Sequence, residues 1–449
     1  MRWRFPLICL GVLVLSARIA PAQVDASGWA QVPAILARII PPTFPTNDFP
    51  ITDYGAVGDG VTLNSAAFSN AIAACTSAGG GRVVVPPGVF LTGAIQLRNN
   101  VNLFLAPGTV IWFSTNPADF LPVVYTRFEG KELMNYSPFI YSFEQENIAI
   151  TGSGVINGQG GSGPWWGWKF SQGGDVNLLY AMAATNAPIS NRVFGAGHVM
   201  RPTFVQPFRC RNVLIEGVTI LNSPFWVINP VYCTNVTVRG VTVNSGGPNS
   251  DGCDPDSSED VLIRDCSFSE GDDCLSVKAG QDVDGLRVNI PARNIVIQNC
   301  KFQDGHGGVT LGSDSSGGIA NVFAENCAFN SPSLNMALRF KTNPARGGYI
   351  TNIFIRNCVI KTAGAGIHMT MAYTSSSGGN TGTNYPIVRN IDIRDCAFGS
   401  TGTAVSLQGW DAAHPISDVN IVNCRFGSGG SGFSSTTNIN LINNRGGGL

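Results

Sequence analysis

The sequence predicts an all-β chain that folds as a single-domain, right-handed parallel β-helix. Three observations predict this fold. A short strand motif recurs along the chain, each copy ends in a residue type that tolerates left-handed backbone, and helical periodicity is confined to residues 66–75. One long solenoid also accounts for 449 residues without additional domains.

The repeated motif is a hexapeptide: Asn or Asp, Val or Ile, any residue, an apolar residue, any residue, then Gly, Asn or Asp. Its copies begin at Asn147, Asn212, Asn235, Asp260, Asn294, Asn321, Asn352, Asn390, Asp418 and Asn438. The two apolar positions share one face of a strand, and the sixth position favours a left-handed bend. From Asn212 onward the copies start 20 to 38 residues apart. This period predicts coils stacked with a rise of about 4.8 Å.

A column of cysteines is predicted inside the solenoid. Six copies have a Cys directly after the bend: Cys266, Cys300, Cys327, Cys358, Cys396 and Cys424. Phe or Ile follows two residues later and shares the inward face. Free Cys is among the most buried residue types, so we expect buried thiols. Disulfides stay open as the alternative, because sequence alone cannot assign pairs.

Composition excludes several functional classes. Lys plus Arg number 28 and Asp plus Glu number 29, so the basic excess of a nucleic-acid-binding protein is absent. Hydrophobic residues make up 44% of the chain, which argues against disorder. Only 13% of residues are charged, against about 25% in typical proteins. A cluster of charged residues in this chain is therefore informative.

The first 22 residues are predicted to be a secretory signal peptide. Arg2 and Arg4 precede an apolar stretch over residues 5–17, and a small-residue cleavage site ends at Ala22. The stretch is shorter than the about 20 apolar residues that span a bilayer. We expect a secreted protein, extracellular or periplasmic, whose β-helix covers residues 23–449. We expect no membrane partner and a monomeric state.

Residues 157–206 interrupt the repeats and are predicted to form a large loop insertion. The segment contains Trp165, Trp166 and Trp168. Two interpretations of these aromatic residues stay open: packing against the first coils, or a wall on which sugar rings stack.

Polar residues at matching offsets of successive coils predict one outward-facing row. Asp272 and His306 hold equivalent places after Phe268 and Phe302. One coil earlier, Asn249-Ser250-Asp251-Gly252-Cys253 resembles the Asp272-Asp273-Cys274 segment. One coil later, Leu338-Arg339-Phe340-Lys341 aligns with residues 309–312, which directs Arg339 and Lys341 outward.

This row suggests chemistry on an acidic sugar polymer. Neighbouring carboxylates acquire separated pKa values, which supplies an acid and a base at one pH. Glycoside hydrolases use a pair of carboxyl groups to cleave the glycosidic bond. Arg339 and Lys341 could bind an anionic group. Each residue alone is also typical of turns, and three acidic residues could instead bind Ca²⁺.

At these residues the chain resembles the polygalacturonases of glycoside hydrolase family 28, of the bacterial type. The family's four motifs occur in order as Asn249-Ser250-Asp251, Gly271-Asp272-Asp273, Gly305-His306-Gly307 and Arg339-Phe340-Lys341. The resemblance covers nearly the whole mature chain and implies a pectin-lyase-like solenoid. It implies an inverting hydrolase of α-1,4-galacturonosyl linkages in pectin, with no metal and no cofactor.

The resemblance also implies individual roles. Asp272 would be the general acid, and Asp251 and Asp273 would activate water. His306 would tune the protonation of the acid. The substrate-binding residues would be Arg339, Lys341, Asn249 and Tyr373.

Four alternatives stay open. A rhamnogalacturonan hydrolase lacks the histidine of Gly-His-Gly, so His306 favours polygalacturonan. A hydrolase of another acidic polysaccharide is possible within the same family. A pectate lyase would need Ca²⁺ and an Arg base. A non-catalytic carbohydrate-binding β-helix would need no such row. Endo and exo action are not distinguished.

Overall fold

A computed structural model describes residues 27–375 and 381–447; the expected signal peptide lies outside these residues. Strands of successive coils pair in parallel on three faces, which confirms the predicted parallel β-helix. The first face consists of strands Asp48–Pro50, Gly81–Val85, Val101–Leu105, Glu146–Gly152, Arg211–Glu216, Thr234–Arg239, Glu259–Arg264, Ala292–Gln298, Ile319–Glu325, Tyr349–Arg356, Ile387–Arg394, Ile416–Val422 and Thr436–Ile442.

The second face follows the first after a sharp bend. It consists of strands Asp59–Leu63, Gly88–Thr92, Thr109–Phe113, Val155–Asn157, Thr219–Leu221, Thr242–Ser245, Ser267–Glu270, Lys301–Phe302, Ala328–Asn330, Val359–Thr370, Ala397–Gln408, Arg425–Phe426 and Arg445–Gly446.

The third face carries the candidate site. It contains strands Ile95–Gln96, Ile140–Phe143, Val205–Phe208, Leu275–Val277, Gly305–Gly312, Leu334–Lys341 and Gly430–Ser434. The long strands Val359–Thr370 and Ala397–Gln408 run from the second face into the third. Isolated bridges through Ile228 and Cys253 join Val205 to Leu275 and make this face continuous.

Helices are short and lie outside the coils. The α-helices span Ser27–Ala30, Val32–Leu36, Ser65–Ser77, Trp165–Trp168, Gly173–Ala184 and Asp282–Val288, and 3₁₀-helices span Ile51–Tyr54, Pro117–Phe120 and Ile189–Asn191. The helix at Ser65–Ser77 agrees with the predicted periodicity, and its buried Phe68 and Ile72 join the core. Within the described ranges, no helix is long and apolar enough to cross a bilayer.

The repeated hexapeptide has a left-handed residue at each end. All ten residues at the sixth position have positive φ, as predicted from their type. All ten Asn or Asp residues at the first position also have φ between 51° and 59°. Only Gly, Asn and Asp adopt this conformation readily. Ten of the thirteen first-face strands therefore carry one left-handed residue within their first four residues and another at or directly after their end.

The first-position asparagines also form a ladder between coils. The Nδ2 group of Asn352 donates to Oδ1 of Asn321 at 3.0 Å, and Asn390 donates to Asn352 at 2.6 Å. The same bond joins Asn212 to Asn147 at 2.9 Å. Asp260 cannot donate in this way, and it instead accepts two bonds from Arg38. The ladder holds the corners of adjacent coils in register.

The interior contains the predicted cysteine column. All eleven cysteines of the described ranges are buried and free of disulfides, which favours the buried-thiol interpretation. Phe268, Phe302 and Phe329 stack beside the column, with ring centroids 5.7 Å and 4.8 Å apart. Like residues on successive coils therefore pack on one another.

The segment predicted as a loop at residues 157–206 begins at the last residue of Val155–Asn157 and ends within Val205–Phe208, and between these strands it contains two α-helices and one 3₁₀-helix. Trp165 is buried against Phe120 and Phe139, and Trp166 donates from its indole N–H to the carbonyl of Ser223. These contacts favour the packing interpretation of the tryptophans. The helix at Gly173–Ala184 packs on an antiparallel hairpin, Val124–Phe128 with Lys131–Asn135, which Val193–Phe194 extends in parallel.

We predict that Asn352→Ala lowers the free energy of unfolding by about 3 kcal/mol. The change removes the two hydrogen bonds to Asn321 and Asn390 on the adjacent coils, each contributing about 1 kcal/mol, and forces Ala into a left-handed conformation that costs about 1 kcal/mol or more. Asn352→Gly loses the bonds without the conformational cost and should be less destabilised. Urea unfolding of both variants measures this. Equal destabilisation of the two would contradict a left-handed corner at Asn352.

Candidate active site

The register of the third face brings the predicted row together. Val309 pairs with Leu338, Thr310 with Arg339, and Gly312 with Lys341, as the sequence alignment predicted. The backbone N–H of His306 donates to the carbonyl of Asp272 at 2.8 Å, so these residues are neighbours on adjacent coils. Residues 34 positions apart thus become adjacent.

The three aspartates form one cluster. One carboxylate oxygen from each of Asp251, Asp272 and Asp273 lies within 4.8 Å of the others. Asp272 has the most exposed side chain, at 16%, whereas Asp251 and Asp273 are almost completely buried. Asp272 is therefore the carboxylate that a molecule in the cleft reaches first.

Asp272 is held by one neighbour on each side. Its Oδ1 lies 2.9 Å from Nδ1 of the half-exposed His306. Its Oδ2 accepts from Nδ2 of Asn249 at 3.3 Å, and Oδ1 of Asn249 accepts from buried Arg201 at 2.7 Å. Asn249 therefore contacts the Asp272 carboxylate directly, and Arg201 fixes which end of the Asn249 amide faces Asp272.

Asp273 is paired with both predicted cations. Nη1 of Arg339 donates to its Oδ1 at 2.9 Å, and Nζ of Lys341 donates to its Oδ2 at 2.7 Å. One anion between two cations leaves a local net positive charge. Arg339 has further N–H donors beyond the one used here. The pair can therefore hold Asp273 and still attract an anionic group.

Asp251 is paired with a lysine that the row did not include. Nζ of buried Lys278 donates to Asp251 Oδ2 at 3.0 Å and lies 3.6 Å from Asp254. It also sits over the ring of Trp226, 4.3 Å from the centroid. Lys278 thus compensates part of the cost of burying two carboxyl groups together.

These environments separate the proton affinities of the cluster. Burial raises the pKa of Asp251 to about 7, against the opposing effect of Lys278. Burial also acts to raise the pKa of Asp272, but the hydrogen bond with His306 and the charges of Lys341 and His306 together outweigh burial and hold that pKa below its ordinary value. The same bond raises the pKa of His306. Despite burial, Lys341 and Arg339 hold the pKa of Asp273 well below its ordinary value.

Tyr373 also enters the site. Its ring lies 5.2 Å from Nζ of Lys341 and 5.8 Å from the guanidinium carbon of Arg339, measured to the ring centroid. Its backbone N–H donates to the carbonyl of Thr342 at 3.1 Å. All eight predicted site residues therefore lie in one neighbourhood. Seven of them line a cleft of about 410 Å³, and Asp273 lies beneath it.

The cation partners weigh against Ca²⁺ at this cluster. A calcium ion takes six to eight oxygen ligands. Both oxygens of Asp273 already accept from Arg339 and Lys341, and one oxygen of Asp251 accepts from Lys278. A bound cation would also meet the charges of these three side chains. These contacts weigh against the calcium alternative at this cluster.

Lys278 could have been found from the sequence. Leu275-Ser276-Val277-Lys278 repeats the alternation of Leu338-Arg339-Phe340-Lys341, and Ser276 pairs with Thr310, the partner of Arg339. Extending the row by one coil predicts an outward lysine. Arg201, in contrast, reaches the site from outside the repeats, where no offset predicts its place.

Comparison with known proteins decides the family. The sequence model of the glycosyl hydrolases family 28 matches residues 75–445, which is most of the chain. The chain belongs to glycoside hydrolase family 28. This family 28 enzyme is 33% identical to a Vitis vinifera protein named "Probable polygalacturonase" over 373 residues, covering 80% of this chain and 70% of the relative.

Two further relatives are bacterial. An exo-poly-alpha-D-galacturonosidase of Dickeya chrysanthemi is 30% identical over 80% of this chain; the match spans 63% of that longer relative. The crystal structure of an exopolygalacturonase from Thermotoga maritima is 38% identical, with a TM-score of 0.85 over 92% of this chain and 96% of that one. The family 28 enzyme therefore shares both the fold and extended sequence similarity with these proteins.

We predict that Lys278→Met raises the pKa of Asp251 above about 7. Removing the cation leaves a buried carboxyl beside two others, which disfavours its charged form. Carbon-13 NMR of labelled aspartate side chains, assigned with Asp251→Asn, measures the change. The exposed Lys301→Met serves as a control and should leave this pKa unchanged. An unaltered or lowered pKa in Lys278→Met would refute the pairing.

Proposed function

We propose that this family 28 enzyme is a polygalacturonase that hydrolyses α-1,4-galacturonosyl linkages of homogalacturonan. The observation that carries the proposal is a cluster of three carboxylates beside a cationic pair in one cleft. Carboxylates supply the acid and base of glycoside hydrolysis, and Arg339 and Lys341 favour an anionic sugar. The names of the three relatives point to the same substrate.

Asp272 is proposed as the general acid, with its proton supplied through His306. Asp272 and His306 share a hydrogen bond, and the same bond raises the pKa of His306, which favours a proton on this pair. An anionic substrate in the cleft raises the proton affinity of a nearby carboxylate. Substrate binding therefore favours transfer of the proton from His306 to Asp272, from which it passes to the leaving oxygen.

Asp251 and Asp273 are proposed to activate the water. Asp273 is ionised throughout the neutral range, and the pKa of about 7 at Asp251 places a base near the working pH. A water between them can donate one hydrogen bond to each carboxylate. Loss of a proton from this water to Asp251 then accompanies attack on the anomeric carbon.

Arg339, Lys341, Asn249 and Tyr373 are proposed to bind the substrate. Arg339 and Lys341 face the galacturonate carboxylate with their remaining donors, while Tyr373 lies against both cations. Asn249 positions Asp272 and lines the same cleft. The net positive charge of the Arg339–Asp273–Lys341 group concentrates the anion locally in a chain whose overall charge is −1.

We propose inversion of configuration. The closest carboxylate oxygens lie within 4.8 Å, a smaller separation than the about 6.5–9.5 Å between carboxyl groups of two-carboxylate inverting enzymes. The third carboxylate accounts for the difference, because water held by Asp251 and Asp273 together does not need the gap between an acid and a single base. The proposal therefore rests on the three-residue arrangement and not on the separation rule.

Exo action is proposed as well. Two relatives bear names with this activity, and residues 157–206 and the hairpin at 124–135 stand beside the cleft. Glu129 from the hairpin and Lys169 from the inserted segment both line it. We further propose that the chain is secreted by its 22-residue signal peptide and acts as a monomer on pectin.

The first test is the product formed from polygalacturonate. We expect saturated galacturonate products whose β anomer appears first in proton NMR. Activity should continue in the presence of a chelator. The main early product should be monogalacturonate. Unsaturated products or activity lost to the chelator would support a lyase instead. The α anomer would refute inversion, and a ladder of oligomers would refute exo action.

The second test is Asp272→Asn. Removing a general acid lowers rates about 10²- to 10⁴-fold, so we expect kcat on polygalacturonate to fall within this range at unchanged stability. Asp53→Asn, an exposed change on the first coil, is the control. Wild-type turnover in Asp272→Asn would remove Asp272 from the acid role. Inactivity of the wild type on polygalacturonate but turnover of rhamnogalacturonan would redirect the substrate assignment.

A further inference from the structure

Two charged residues line the cleft without a place in the catalytic cluster. Glu129 belongs to the hairpin and Lys169 to the segment at 157–206. Neither residue matches a family motif, and the sequence row did not include them. Among the described residues, no hydrogen bond or ion pair involves either charged group.

Glu129 is confined at the tip of the hairpin. Glu129 is only 8% exposed. Glu129 has a φ of 42° and Gly130 a φ of 70°, so both positions of this two-residue hairpin loop have left-handed backbone. Asn-Gly is the sequence favoured for such loops, and Glu adopts this conformation rarely. Burial lowers the pKa of both Arg201 and Lys131, and the charge of Glu129 acts to raise it, but neither cation lies within ion-pair distance of the Glu129 carboxylate. The carboxylate lines the cleft and therefore keeps acceptor positions for a ligand.

The tip of the hairpin is fixed in place. A Cβ atom added at Gly130 would lie 2.6 Å from the backbone nitrogen of Gln281, so only glycine allows this close approach. Arg127, beside the tip, is paired with buried Asp256 at 2.9 Å. Lys131, on the other side, binds Gln281 and packs on the ring of Tyr180. Glu129 is therefore held at a constant position in the cleft.

Lys169 differs from the other lysines and arginines of the cleft. Lys278 is paired with Asp251, and Arg339 and Lys341 are paired with Asp273. Within the described ranges, Lys169 has no carboxylate within 4 Å. It directly follows the helix Trp165–Trp168, which buried Trp165 anchors to the core. Its charge is thus available to an anion that enters the cleft.

We propose that Glu129 and Lys169 form a recognition subsite for one galacturonosyl residue beside the catalytic carboxylates. Lys169 binds the carboxylate of that residue, and Glu129 accepts hydrogen bonds from its hydroxyl groups, since an ionised carboxylate only accepts. The negative charge of Glu129 excludes the opposite orientation, in which two carboxylates would meet. This inference rests on the proposed polygalacturonase function and adds the residues that orient the sugar.

The test of Lys169 uses Lys169→Met, Lys169→Arg and the exposed control Lys301→Met. With trigalacturonate, we expect Lys169→Met to raise KM about tenfold or more, because bonds between charged groups are the stronger class, with kcat within about twofold. Lys169→Arg should retain most affinity. Lys169→Met should also lose preference for trigalacturonate over its methyl ester. Unchanged KM and unchanged preference would overturn the proposal.

The test of Glu129 uses Glu129→Asn, which creates the Asn-Gly loop that this turn favours. We expect a thermal midpoint equal to or above that of the wild type, together with a KM for trigalacturonate raised about tenfold. If Glu129 has only a structural role, the substitution changes the thermal midpoint and leaves KM unchanged. An unchanged KM for trigalacturonate would therefore overturn the assignment of Glu129.

Calorimetric titration with trigalacturonate separates the subsite from the proposed function. If the wild type fails to hydrolyse polygalacturonate, the polygalacturonase proposal fails on its own. The subsite then stands if trigalacturonate binds the wild type at least tenfold more tightly than Lys169→Met, and it falls if the two bind equally or the wild type does not bind.

Discussion

The in-register stacking of successive coils is the constraint on which the rest of this structure depends. Ten of the thirteen first-face strands carry two left-handed Asn, Asp or Gly residues, and hydrogen bonds between asparagines connect these positions on adjacent coils. Parallel pairing then places each coil directly on the previous one. A shift of one residue would turn inward side chains outward. Candidate site residues that are far apart in sequence lie side by side because the register does not slip.

Charge balance is the second requirement of the site. Three carboxylates within 4.8 Å would repel one another strongly if all were ionised and unpaired. Lys278 compensates Asp251, Arg339 and Lys341 compensate Asp273, and His306 is hydrogen-bonded to Asp272. Each aspartate thereby acquires a different proton affinity. The family resemblance assigns Arg339 and Lys341 to the substrate carboxylate. Despite burial, the same two residues lower the pKa of Asp273 and so keep that carboxylate ionised.

The fold and the cluster were predictable because both follow from the repeat. The hexapeptide predicted the strands and their bends, and coil offsets predicted that Arg339 pairs with Thr310 and that His306 neighbours Asp272. The left-handed first position was missed, although its Asn and Asp residues were visible in the sequence. Glu129 and Lys169 were not predictable, since they lie on segments outside the repeat whose position depends on tertiary packing. The family resemblance, not the repeat, indicated Tyr373, and the structure places its ring 5.2 Å from Nζ of Lys341.

The central claim assigns the two proton transfers to different groups. The Asp272–His306 pair donates a proton to the leaving oxygen, and Asp251, with a pKa of about 7, accepts a proton from water. The dependence of kcat/KM on pH in wild type and His306→Gln tests this most directly. For the wild type we expect a bell-shaped dependence of kcat/KM on pH. Activity falls below about pH 7 as Asp251 takes up a proton, and falls at higher pH as His306 loses one, above its ordinary pKa of about 6.5. His306→Gln should alter the high-pH limb and leave the low-pH limb in place. Identical profiles in the two proteins would contradict the account.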